Sequence, residues 1–182
     1  MSSPIGAIVT FDIEPACYIQ DTEILCFDET TGYEFYKKVQ DLKKGDFVKT
    51  KYHGYKPVIQ TVSQTIPTYK NKITSQIWKM SKSKNPRLTK DLYLTGGHSI
   101  IVDELSPSEM EKQGAYFSVP EEIDNKLLLM AGFSDSFEKV KKTKKYRSYH
   151  FLLEPSGDNL RYIVWANGIE SESTTPAAFN NH

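Results

Sequence analysis

Cysteine is scarce in this chain: only Cys17 and Cys26 occur among its 182 residues. A small disulfide-built scaffold would carry more of them, at regular spacings. The two have neither Cys-x-x-Cys spacing nor a histidine pair close by, so no metal site is expected. A disulfide between them stays open at this level. Net charge is missing too, because 23 basic and 23 acidic residues cancel. A general nucleic-acid or polyanion binder would be skewed to one sign, so no nucleic-acid partner is expected. Long apolar runs are also absent. The longest candidate, Leu127 to Met130, falls far short of the roughly 20 residues of a membrane span. The N-terminal Met1-Ser-Ser-Pro-Ile-Gly carries no basic residue before its apolar part and does not read as a signal peptide. A soluble monomer without membrane contact is expected, with its compartment left open.

Helical periodicity is the last thing the chain has little of. Short runs rich in β-branched and aromatic residues alternate with turn signals every 8–12 residues or so, which predicts an all-β fold in one domain with a short appendage. Strands are expected over 22–27, 33–39, 47–52, 57–66, 73–80, 93–95, 100–102, 116–119, 126–133, 149–154 and 160–165. Before them, Ile8 to Ile13 leans to β structure and Pro15 ends it; this piece alone reads as an edge strand. The turns are Asp28 to Gly32, Lys44-Gly45-Asp46, Gly96-Gly97-His98 and Asn167-Gly168, the last a strong hairpin dipeptide. Asp46 reads as a turn former. Ser108-Glu-Met-Glu111 has capping-box spacing, so one short helix is expected near 107–113. The polar tail from Ser171 is expected to fray. Two basic stretches, 79–91 and 139–147, read as solvated loops in a chain of zero net charge.

Two separated stretches carry the chemistry. The first is Cys17-Tyr-Ile-Gln-Asp21-Thr22-Glu-Ile-Leu25, and the second is Leu94-Thr95-Gly96-Gly97-His98-Ser-Ile-Ile. With the Gly45-Asp46 turn between them and Asn167-Gly168 after them, the pattern over about residues 17–174 resembles the Hint superfamily, the self-processing domains of inteins and hedgehog proteins. The resemblance implies a compact, horseshoe-like all-β fold with pseudo-twofold halves and at most one or two short helices. It implies that residues 1–16 are an upstream segment, 17–174 the Hint domain and 175–182 a tail. It also implies a single-turnover, intramolecular reaction. Cys17 attacks the Ala16 carbonyl in an N-to-S acyl shift, and the resulting thioester passes the upstream segment to a nucleophile. His98 would serve as general acid for the departing amide nitrogen, with Thr95 hydrogen-bonding at the scissile amide. Gly96 and Gly97 would let that turn approach closely. A thioester is less stable than an amide, so a distorted Ala16–Cys17 link is expected. Cys17 must be reduced when it acts, and no cofactor is needed.

The chain departs from the intein pattern at its end. An intein closes on an Asn that cyclises; the register from Asn167-Gly168 puts Ser173 there, followed by Thr174. Asn180 and Asn181 lie beyond any normal register. The ending looks more like hedgehog-type and related domains that cleave or transfer without splicing. The acceptor is left open among water, a thiol, an amine or another small molecule. Splicing with an atypical C-terminal step, and a catalytically silent fold used as an interaction module, are the alternatives. His150 has two even readings, a hydrogen-bonded strand histidine or a participant in the acyl shift or acceptor activation. Asp21 and Thr22 read as turn caps after Cys17. Cys26 reads as core, with a lesser reading as acceptor thiol. His53 and His182 have no supporting context.

Overall fold

The computed structural model describes residues 16–66, 72–117, 119–141, 145–156 and 160–179. The run 8–13, most of the upstream segment, Asn180, Asn181 and His182 lie outside the described residues. The fold is all-β, as expected. Among the described residues, fourteen strands join into one sheet, with every pairing antiparallel. They are β1 Tyr18–Ile19, β2 Glu23–Asp28, β3 Tyr33–Lys38, β4 Phe47–Lys49, β5 Tyr55–Ile66, β6 Ile77–Met80 and β7 Leu92–Thr95. There follow β8 Ser99–Val102, β9 Glu122–Ile123, β10 Lys126–Met130, β11 Glu138–Lys139, β12 Tyr146–Leu153, β13 Ile163–Ala166 and β14 Ile169–Glu172. Among the described residues there are also two short α-helices, α1 Pro107–Gly114 and α2 Pro176–Phe179, and two 3-10 turns, Val39–Asp41 and Ile73–Ser75. Among the described residues no helix is long and apolar enough to cross a membrane.

The sheet runs β11-β6-β7-β1-β12-β5-β4-β2-β13-β14-β8-β10-β9, with β3 hung on β2. Its long members, β5 and β12, pair along eight register positions from Tyr146↔Ile66 to Leu153↔Val58. In β2, Ile24 and Cys26 are buried while their neighbours are partly exposed, the period-2 pattern of a strand with one face on the core. β12 is different: His150 to Leu153 are buried without interruption, because both its faces are covered. The main core joins Tyr18, Leu92, Leu94, Leu129, Phe151 and Tyr162 with residues of nearly every strand.

Turn chemistry sets the hairpins. Asn167 and Gly168 have φ of 47° and 94°, the left-handed pair that a two-residue hairpin twisted to match its strands requires. Asp124 and Asn125, at 52° and 60°, do the same between β9 and β10.

Several boundaries differ from expectation, each for a local reason. Helix α1 is where it was expected, but its capping box is Ser106 and Glu109, not Ser108 and Glu111. Pro107 takes the first helical turn, where its missing N–H costs nothing. Tyr116 and Phe117 form no strand. Their backbone N–H groups close back on the Gln113 carbonyl, and the Tyr116 ring packs on Phe133 at 4.7 Å. The expected strand over 73–80 begins with a 3-10 turn at Ile73–Ser75 and only then enters β6. That over 126–133 stops at Met130, whose carbonyl accepts from both Phe133 and Ser134. That over 47–52 is cut after Lys49 by the Thr50–Gly54 turn. As far as residue 179 the tail is ordered, not frayed: Ser171 and Glu172 belong to β14, Ser173 and Thr174 are buried, and α2 buries Phe179.

Candidate active site

The sheet order β7-β1-β12 brings the chemistry together. Tyr18 pairs at once with Leu94 of β7 and Tyr149 of β12. Cys17, just before β1, is therefore held between the residues that follow Leu94 and those that follow Tyr149. It is only 2 % exposed. Neither Cys17 nor Cys26 is in a disulfide, which settles the open question about that pair.

On one side stands Thr95. Its hydroxyl accepts from the Cys17 backbone N–H at 3.2 Å and donates to the Cys17 carbonyl at 3.4 Å, while its own N–H reaches that carbonyl at 3.2 Å. On the other side stands His150, whose Nε2 lies 3.3 Å from Cys17 Sγ and whose Nδ1 lies 2.9 Å from the Ala16 carbonyl oxygen. A carbonyl can only accept, so Nδ1 carries the proton. In the neutral ring Nε2 is then the acceptor facing the thiol. His150 thus spans the Cys17 sulfur and the carbonyl oxygen of the peptide bond before it.

His98 is fully buried, and both its ring nitrogens lack a partner in hydrogen-bonding geometry. Its ring meets that of Tyr18 edge-on at 4.2 Å. Burial pushes its pKa down to about 3; a backbone group of Cys17 opposes this, the nearby His150 adds to it, and a backbone group of Glu172 opposes it. At neutral pH the ring is uncharged.

The Gly96-Gly97 turn is held by Gly96 N–H to the Gln76 carbonyl at 2.8 Å and Gly97 N–H to the Thr74 carbonyl at 2.9 Å. A Cβ on Gly96 would overlap the Ile73 carbonyl and come within 2.8 Å of Trp78 Nε1. Gly96→Ala is therefore expected to cost about 2–3 kcal/mol as an overpacked site. In a chain of this length that lowers the Tm by roughly 4–10 °C, which thermal unfolding followed by circular dichroism would read; an unchanged Tm would refute it.

The remaining expected residues sit as structural ties. Asp21 has a φ of 70° and an exposed carboxylate on Lys38 at 2.9 Å and Gln40 at 2.8 Å. The Thr22 hydroxyl donates to the Ile19 carbonyl at 2.7 Å, closing the turn after β1. Asn167 accepts from the Glu23 N–H at 2.7 Å and donates to the Asp91 carbonyl at 3.0 Å, so it binds the start of β2 to the loop before β7. Gly168 packs against the Arg87 carbonyl too closely for any side chain. Cys26 lies in the core, its pKa pushed up to about 12 by burial, which makes it a poor thiolate source. His53 is paired with Asp124 at 2.9 Å.

Neither Ala16 nor Cys17 has a positive φ.

Two groups escaped sequence reasoning. Tyr18 is completely buried; its hydroxyl donates to the Glu172 carbonyl and accepts from Ser171 Oγ, both at 2.8 Å. Glu172 is buried as well. Its carboxylate accepts from the Ser99 N–H at 2.8 Å and meets Arg161 at 3.2 Å. Burial raises its pKa, and Arg161 opposes that. Together they fasten β14 behind His98. The one signal for Tyr18 was its place after Cys17, and for Glu172 the two-residue offset from Thr174 carried no meaning without the fold. Ser173, in the register of a cyclising Asn, exchanges hydrogen bonds with the Tyr162 backbone at 2.9 Å.

No protein-family model matches the chain. No curated protein matches it. Among solved structures, that of a selenomethionine variant of the VidaL intein is similar over 88% of this chain and 94% of its own, at 15% identity and a TM-score of 0.39, a likeness too coarse to assign a fold family or an activity.

Proposed function

We propose that this chain is a Hint-type self-processing domain that cleaves or transfers its upstream segment at Ala16–Cys17 without splicing. The observation that carries the reading is His150, with one nitrogen on the Cys17 sulfur and the other on the Ala16 carbonyl oxygen. In the proposed reaction Nε2 takes the thiol proton and the thiolate attacks the Ala16 carbonyl carbon. The oxygen, as it becomes an oxyanion, keeps the Nδ1 proton donor it already has. One histidine would then act as base and as oxyanion donor. The C–N bond of the amide breaks as the nitrogen gains a proton, leaving an Ala16 thioester on Sγ and a free Cys17 amine. Thr95 holds that nitrogen through its N–H. His98, the general acid that the resemblance implies, is kept neutral by burial, so the proton lodged on His150 is the one available for the departing amine. An acceptor nucleophile of still open identity then releases the upstream segment and frees the sulfur.

Ser173 supports the absence of splicing. It has no amide to cyclise, and its hydroxyl is already engaged by the Tyr162 N–H. The burial of Cys17 favours the second reading, a silent fold kept for interaction, because an acceptor must reach the sulfur.

Intact mass separates the two. Purified, reduced protein incubated with dithiothreitol or hydroxylamine is expected to lose residues 1–16 and to begin at Cys17. An unchanged mass in correctly folded protein would overturn self-cleavage and leave the interaction module.

A further inference from the structure

A cleft of about 700 Å³ opens beside β1, and none of its lining residues has a role in the proposed reaction. Ile19 and Gln20 are among its lining residues. Because the sheet runs β6-β7-β1-β12, the two walls come from opposite sides of β1: the loop after β6, with Lys82 and Lys90, and the start of β12, with Lys145 and Arg147.

The charges facing it do not cancel. Its two carboxylates are already matched by lysines, Asp21 by Lys38 at 2.9 Å and Asp91 by Lys79 at 3.3 Å. Lys90 is likewise matched by Glu23 at 2.9 Å. Three cations are left with no acidic partner among the described residues. Lys82 Nζ donates only to the Thr89 carbonyl at 3.0 Å, Arg147 only to the Ser63 hydroxyl at 3.2 Å, and Lys145 is exposed. Unmatched cations gathered around one concavity raise its potential and favour an anion that can bridge them, and a guanidinium fits phosphate oxygens in a fork.

We propose that this cleft binds a small molecule carrying a diphosphate or longer phosphate chain, its charge spanning Lys82 on one wall and Lys145 and Arg147 on the other. Volume and composition favour a small molecule over a nucleic acid. The cleft is of the size that encloses a ligand, and the chain as a whole is neutral. Ile19 and the partly buried Tyr93 supply an apolar wall for an organic part. The site goes beyond the proposed reaction and does not depend on it, since binding is read without any cleavage.

The test is calorimetric titration of the full chain with inorganic pyrophosphate, ADP and a 20-nucleotide single-stranded RNA, at low and at moderate salt. Pyrophosphate or ADP is expected to bind, more weakly as salt rises, and the comparison tells free polyphosphate from a nucleotide. Arg147→Glu and Lys145→Glu should each weaken binding at least tenfold, whereas Lys44→Glu, exposed and outside the cleft, should not. Thermal melts identify any variant that fails to fold, and the two cleft variants serve as independent checks. The proposal is overturned by no binding of either small anion at 1 mM (a concentration at which a Kd tighter than about 1 mM is visible). It is equally overturned by equal losses in Lys44→Glu, or by binding of the RNA alone.

Discussion

Changing His150 to alanine is expected to slow release of the upstream segment by about 10²–10⁴-fold, the usual worth of a positioned acid–base group. Changing Cys17 to alanine should stop it. The size of the His150 effect follows from its two contacts. In the proposed reaction the nitrogen 3.3 Å from the sulfur serves as the base, and the nitrogen 2.9 Å from the Ala16 carbonyl serves as the donor to the oxygen that gains charge. Alanine removes both. Glutamine in its place can restore a donor to the carbonyl but cannot take a proton at neutral pH, so His150→Gln should recover part of the loss and no more. First-order rates with dithiothreitol at pH 7, followed by intact mass, give all three numbers. Circular dichroism would guard against unfolding, because His150 is buried. A His150→Ala protein that cleaves at the parental rate would remove the histidine from the mechanism.

The second large effect concerns stability in acid. His98 titrates near 6.5 in an unfolded chain but only at about 3 in its buried site. Above pH 6.5 both states hold it neutral, and stability is at its full value. As pH falls below 6.5 the unfolded state takes up a proton that the folded state refuses, so stability declines at up to about 1.4 kcal/mol per pH unit. By pH 3 this one ring has withdrawn about 4–5 kcal/mol, a large part of what a domain of this size possesses. Carboxylates held below their ordinary range, such as Asp91 beside Lys82 and Lys79, lose their own contributions over a lower range. The difference between parent and His98→Phe isolates the ring, because phenylalanine keeps an aromatic edge on Tyr18 but cannot be protonated. Urea unfolding at pH 7, 5 and 4 should show the parent falling more steeply than the variant. Parallel declines would mean that His98 is not the acid-sensitive group.

The residues with short-range consequences were the legible ones. Cys17 and the Thr95-Gly-Gly-His98 turn could be picked out because each is compact in sequence, and Asn167-Gly168 because its backbone needs two left-handed residues. The β class followed from alternation and turns. What could not be read was any fact made by distant partners. Nothing in Tyr149-His150 says that the ring will reach a carbonyl 134 residues earlier, which is why its two readings stood even. Tyr18 and Glu172 form their tie across 154 residues. The capping box was misplaced by two because Ser106 and Ser108 each precede a glutamate at the same spacing. The tail, polar in composition, is ordered as far as residue 179 because Phe179 and the Ser173–Tyr162 exchange anchor it, and composition alone weighs neither.

Strand β1 is two residues long and owes its place wholly to its neighbours. One contributes Thr95, 78 positions downstream, and the other His150, 133 positions downstream of the cysteine. Under the proposed reaction no nucleophile is assembled until both have arrived, so the nascent chain stays inert while most of it is being made. A ribosome stalled before residue 150 would display an intact junction, as would a misfolded product. Release of the upstream segment would therefore serve as a folding signal, certifying that β1 had been closed between β7 and β12, and its timing would be indifferent to how dilute the protein is.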